Sequence, residues 1–251
     1  MKFFGLDLGW TTGATGLSCL GWQNGELNSI ELGHLIDLDE ILQWIDDRLD
    51  SGECAVVAVD APTVISNATG MRDCDRLAHK YFGRYHAGCY PANLGRPFAQ
   101  RTLLVGRRLE ERGFQHAPEL EVPMSTGRYQ LEVFPHAVML HLFQLDRILK
   151  YKKGRLAERR LELNRLRQLM VTTFPTLVPS FAPSIELSTL LPDIPHKGRE
   201  MKIVEDQLDS LICAYTAAHW WYWGNQKNWV LGDRSNGYIV VPTPFGPIGV
   251  N

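Results

Sequence analysis

The sequence is short of the signals that place a protein quickly. Its five cysteines, Cys19, Cys54, Cys74, Cys89 and Cys213, are odd in number, scattered and never paired as CxxC. That speaks against a disulfide framework or a cysteine-ligated zinc finger and fits a reducing cytosol. Eight histidines form no HExxH motif or close metal pair. No apolar run is clean enough for a membrane, because the richest, residues 203–223, carries Glu205, Asp206 and Asp209. The first residues reach an acid at Asp7 without a signal-like apolar stretch. The expectation is a cytoplasmic protein with no membrane partner. Charge of one sign is missing too: 26 Lys and Arg against 28 Asp and Glu give a net −2. Coating nucleic acid through bulk charge is thereby excluded, though a local basic patch is not. There are no internal repeats and no low-complexity tract.

What remains is 251 residues, 45% of them hydrophobic, enough for one large domain with its own core. Residues 2–8 and 14–22 read as strands. Gln23-Asn24-Gly25 supplies a hairpin turn into a third strand over 27–35, because Asn-Gly readily takes positive φ. Asp37 or Asp39 can cap a helix carrying Ile41, Ile45 and Leu49, and Gly52 ends it. Residues 54–60 form a buried strand stopped by Pro62. Three strands, a helix and a strand differ from the strict strand–helix alternation of a Rossmann unit. Helical patches follow at 72–82 and 100–112, then a strand over 129–134, a helix over 137–149 and a long helix over 200–223. Residues around 232–237 look like a final hairpin. The core is expected at 1–62, 128–150 and 199–251, with a helical insertion over about 63–127 and a basic helical segment over about 147–175.

Several acids sit where an acid is awkward without a task. Asp7 interrupts an apolar strand, Asp60 ends a buried one, and Glu132 lies within the strand before Pro135. On the last helix Lys202, Asp206, Asp209, Cys213 and Ala217 share one face at 100° per residue. Each acid alone has a plain structural reading, as a turn former or a solvated helix face. Brought together, they would repel one another unless a cation held them. Hard ions such as Mg²⁺ or Mn²⁺ prefer such oxygens, and two of them can promote phosphodiester cleavage.

Residues 147–167 hold nine Lys and Arg against two Glu. Lys152, Lys153 and Arg155 could follow a phosphate backbone, or line a solvated face. Arg72 and Arg76 after Asp60 could clamp phosphates, with a surface ion pair as the plainer reading. The same stretch is aromatic at Tyr81, Phe82, Tyr85, Tyr90 and Phe98, which suits contact with a base. Trp220, Trp221, Tyr222 and Trp223 read better as core than as a stacking surface.

The stretches Gly5-Leu-Asp7-Leu-Gly9, Val59-Asp60-Ala-Pro62, Arg72-Asp-Cys-Asp75, Glu132-Val-Phe-Pro-His-Ala137, Lys152-Lys-Gly-Arg155 and Glu205-Asp-Gln-Leu-Asp-Ser-Leu-Ile-Cys-Ala214 cover most of the chain. In them it resembles the domain-of-unknown-function family 429, predicted to be nucleases of RNase H-like fold. The acid pair of the final helix is also similar to that of RuvC-type Holliday junction resolvases. The resemblance implies an α/β, RNase H-like fold with a mixed five-stranded sheet, its first three strands antiparallel. It implies a metal-dependent nuclease in which Asp7, Asp60, Asp206 and Asp209 hold two Mg²⁺ or Mn²⁺ ions. Glu132 belongs to the family pattern, and Lys202 could steady developing charge. Two other readings stay open: a non-catalytic nucleotide- or metal-binding module on the same fold, and an actin-like phosphotransferase prompted by Gly9-Trp-Thr-Thr-Gly13. The second half of the chain shows no matching Asp-x-Gly-x-Thr for the latter.

Overall fold

A computed structural model describes residues 1–119, 124–183 and 186–244. The parts of the expected insertion and core that fall at 120–123 and 245–251 lie outside the described residues. β1 (Lys2–Asp7), β2 (Thr15–Gln23) and β3 (Glu26–Leu35) form the antiparallel meander. Asn24 and Gly25 turn β2 into β3 at φ 56° and 88°, the left-handed pair that keeps a hairpin's twist. The Asp37 carboxylate accepts from the amides of Asp39 and Glu40 and starts α1 (Leu38–Asp46). β4 (Ala55–Val59) then runs parallel to β1.

The insertion supplies α2 (Asp73–Phe82), α3 (Ala99–Glu110) and a two-residue strand, β5 (Gln115–His116). β6 (Arg128–Glu132) lies parallel to both β4 and β5. The sheet order is β3-β2-β1-β4-β6-β5, so it has six strands where five were expected. The sixth is too short to leave a periodic signal in sequence. α4 (Pro135–Leu142) stops well before residue 149, because the chain turns at Gln144, which sits in the left-handed region at φ 51°. α5 (Leu156–Thr173), the short α6 (Leu187–Leu190) and α7 (Gly198–Trp223) follow. The chain then forms a separate hairpin of β7 (Asn228–Asp233) and β8 (Gly237–Pro242). Among the described residues no helix is long and apolar enough to cross a membrane.

Alternation along the strands sorts the core into two layers. Phe3, Val56 and Ala58 point to the face covered by α7, where Leu211, Ile212 and Trp220 close the larger cluster. Phe4, Leu6, Val57 and Val59 point the other way, onto Ile41, Leu42 and Ile45 of α1 and Val105 and Leu109 of α3. Trp220 and Trp221 are core, as their apolar setting suggested. At the outer edge Leu27 of β3 bridges to Phe181 in the proline-rich loop that precedes α6. Its amide bonds Ser180 O, and its carbonyl accepts from Ala182 N.

Candidate active site

The site forms where two parallel strands end beneath the long helix. Leu6 and Val59 are register partners, and the Asp60 amide donates to Leu6 O at 2.8 Å. Asp7 and Asp60 therefore leave the sheet side by side. Asp7 shares the parity of Phe3, so it emerges on the α7 side. The helix comes unusually close there. A Cβ on Gly5 would stand 1.8 Å from Ser210 O, and one on Gly16 only 2.0 Å from Asp206 O. Gly16 is also the cross-strand partner of Asp7. Two glycines thus set the helix directly on the strands and bring Asp206 and Asp209 over Asp7 and Asp60, all four in a poorly hydrated setting.

The acids are partly compensated by lysines. Lys152, in the segment between α4 and α5, places Nζ 2.7 Å from Asp209 Oδ2 and 4.0 Å from Asp7 Oδ1. The buried Tyr151 hydroxyl donates to Asp209 Oδ1 at 2.7 Å. Asp209 Oδ2 has the ammonium beside it but no donor in hydrogen-bonding geometry. Lys202 pairs with Asp206 one turn on, His34 Nε2 lies 3.1 Å from Asp206 Oδ2, and Glu205 is held by Lys202 and Arg159. Compensation is incomplete. Burial pushes the Asp7 carboxyl well above the usual range against the pull of Lys152, with Asp209, Asp60 and Asp206 pushing the same way. Burial likewise lifts Asp60 to about 6, with Lys152 opposing and Asp209 adding. Asp7, Asp60, Asp206, His34, Lys152 and Lys202 line a cleft of about 840 Å³.

Glu132 lines the same cleft but is bonded to an arginine rather than joined to these acids. Its register partner is Val59 rather than Asp60, and its carboxylate is gripped by Arg72 through two bonds of 2.6 and 2.8 Å. Arg72 also holds Asp75 at 2.8 Å. Burial pushes Glu132 up to about 7 while Arg72 pulls it down. Burial alone would weaken Arg72's hold on its proton, but Glu132 and Asp75 more than reverse that. Arg72, expected on a phosphate backbone, is 4% exposed. It is an internal tie because two buried acids leave its guanidinium no free edge.

The other basic candidates divide. Arg76 is exposed and paired with Asp73. Lys153 and Arg155 stand in solvent just before α5. Arg159, Arg160 and Arg167 turn inward onto the carbonyls of Tyr151, Ile194 and Pro192, so the basic segment is less of an open track than its composition suggests. Lys152 is inside the acid cleft.

Three site residues lay outside the sequence reading. Tyr151 had a cue only in standing next to Lys152. Glu205 sits beside Asp206 and was masked by it. His34 faces the site because it pairs with Gly16. Counting back from the Asn24-Gly25 turn would set Gly33 there instead, and the bulge at Gly21/Trp22 shifts the register by one.

Among the described residues no group of three or more His, Cys, Asp or Glu is arranged as a ready ligand shell for a metal ion. A family model described as a protein of unknown function (DUF429) matches residues 5–233. No curated protein and no solved structure matches the chain.

Proposed function

Because the chain belongs to the DUF429 family, whose description carries no activity, its function has to come from its site, and we propose a divalent-metal-dependent nuclease. The observation that carries this reading is the meeting of Asp7, Asp60 and Asp206 on one cleft, with the buried Asp209 joined to Asp7 through the Lys152 ammonium. The meander of β1 to β3 with parallel strands beyond β1 supports the RNase H-like assignment.

The residues fit a hard cation. The donors are carboxylate oxygens, and Asp209 Oδ2 is buried without a directed donor. Asp7, Asp60 and Asp209 would hold Mg²⁺ or Mn²⁺, and Asp206 would serve a second ion. Loading the first requires the Lys152 ammonium to withdraw from Asp209 and Asp7. When bound, such ions activate water and offset charge on a phosphoryl group. The chain's own groups do the rest. Lys152 and Lys202 meet the negative charge of a phosphodiester, Tyr151 fixes the rotamer of Asp209, and Arg159 and Lys202 share the Glu205 carboxylate.

A panel of labelled DNA and RNA strands, duplexes and junctions, incubated with Mn²⁺ or Mg²⁺, tests the reading. Cleavage should disappear in Asp7→Asn while its circular dichroism stays native; unchanged turnover in that variant sinks the assignment. That lysines already sit on the acids favours one other reading, a non-catalytic binding module. Saturable binding of nucleic acid without cleavage under any condition would select it.

A further inference from the structure

Beside the acid cleft lies a second concavity of about 360 Å³, lined by Trp10, Thr11, Tyr90, Arg96, Pro97 and Phe98. Trp10 and Tyr90 line both hollows, so the two share a wall. Trp10 is tied to the site itself, since its indole Nε1 donates to Asp60 O at 2.8 Å. Its ring meets Phe98 edge-on at 4.6 Å and Tyr90 at 6.5 Å. The Arg96 guanidinium lies 5.1 Å from the centre of the Tyr90 ring and is steadied by Pro91 O at 3.2 Å.

Tyr90 is 59% exposed, although the aromatics behind it, Phe98 and Trp10, are largely covered. An aromatic ring left open to solvent, backed by a rigid cluster and accompanied by a cation, has the make-up of a base-stacking platform. Its place matters as much. A phosphodiester held at Asp7 and Asp60 would have its neighbouring nucleoside at Trp10, because the Trp10 indole is bonded to the Asp60 carbonyl. Arg96 supplies the charge that an adjoining phosphate needs.

We infer that the Trp10–Tyr90–Arg96 hollow is a subsite for one unpaired nucleobase of the substrate strand, so that the enzyme selects single-stranded or unstacked positions. This rests on the phosphodiesterase reading and names its substrate class. Stacking reads no particular base edge, so the subsite tolerates all four bases. A base still paired inside a duplex keeps its faces covered and cannot use it.

The test is fluorescence anisotropy with a labelled oligothymidylate and a blunt duplex of equal length, in EDTA so that nothing is cut. Tyr90→Ala should weaken single-strand binding about 5- to 150-fold, Tyr90→Phe should restore it, and duplex binding should be unchanged. Arg96→Gln should weaken single-strand binding and lessen its salt dependence. Tyr81→Ala is the control, an exposed tyrosine packed on Trp229 away from the cleft. Equal single-strand affinity in Tyr90→Ala and wild type, or an equal loss for duplex, overturns the subsite. If that wild type still cleaves with Mn²⁺, the phosphodiesterase reading stands without it. Wild type that neither binds nor cleaves any strand overturns both.

Discussion

Replacing Gly16 by alanine tests how the acids are brought together. The added Cβ would stand 2.0 Å from Asp206 O, whereas real Cβ contacts essentially never fall under 3.0 Å. The obstacle is main chain on both sides, so no rotamer change relieves it. β2 and α7 must separate by about 1 Å at the point where Asp206 enters the cleft. Overpacking of this kind costs about 1–3 kcal/mol, and displacements near 1 Å in a reacting site can cost about 10²-fold in rate. Gly25→Ala is the matched control. Gly25 has φ 88° with nothing within 4 Å of its added Cβ, so alanine there costs about 1–2 kcal/mol of backbone strain and leaves the cleft alone. Urea unfolding gives the stability of both variants, and titration calorimetry with Mn²⁺ gives the state of the site. The expected result is loss of stability in both and loss of Mn²⁺ affinity in Gly16→Ala alone. A Gly16→Ala protein with the wild-type urea midpoint refutes the close approach, and equal Mn²⁺ affinity in the two variants refutes its role in positioning Asp206.

Arg72→Met should cost about 3–5 kcal/mol in urea unfolding, because Glu132 and Asp75 stay buried without a counter-charge; Arg72→Met with Glu132→Gln should recover part of it, and a neutral single variant would show the tie to be idle. Lys152→Met should cost about 1–3 kcal/mol, because Asp209 is left buried without its counter-charge while the third of the lysine side chain that is exposed tempers the loss. Mn²⁺ should then raise the Tm of Lys152→Met more than that of wild type, and an equal rise would deny that the ammonium and the metal compete. Burial pushes the imidazoles of His116 and His219 down to about 4 from an ordinary 6.5. Stability from their neutral state is whole above pH 6.5 and is lost as pH falls towards 4, about 2 kcal/mol each by pH 5. The raised carboxyls of Asp7, Asp60 and Glu132 shift stability the opposite way over this range, so the check is an NMR titration of each imidazole, and a His116 or His219 that protonates near pH 6.5 contradicts this.

Much of the site could be read from residues that break their surroundings. Asp7 in an apolar strand, Asp60 at the end of another and the Asp206/Asp209 pair on one helix face each stood out; Asp7, Asp60 and Asp206 line the cleft, and Asp209 is buried against Lys152. Glu132 broke the pattern of its strand just as visibly, yet its reason was different. A buried acid is anomalous whether it serves a ligand or an internal arginine, and only strand register separates the cases. Arg72 misled for the converse reason, since sequence does not reveal whether an arginine turns outward or inward. The meander was legible because Asn24-Gly25 is a local turn signal. β5 was not, because two residues have no period, and His34 depended on a one-residue bulge that shifts the register without changing composition.

The Leu27 contacts bear on how this sheet meets other chains. An outermost strand offers its free amides and carbonyls to any extended segment that comes near, and β3 is the long margin of this sheet. Its start is already engaged by the chain itself, with Ser180 and Ala182 bonding Leu27 on either side. Midway along, Glu31 stands exposed and ion-paired to Arg48, and an intruding strand would have to desolvate it. Cutting the loop at 180–182 would therefore free the amide and carbonyl of Leu27 and favour self-association through β3, while the acids of the cleft remain on β1, at the end of β4 and on α7.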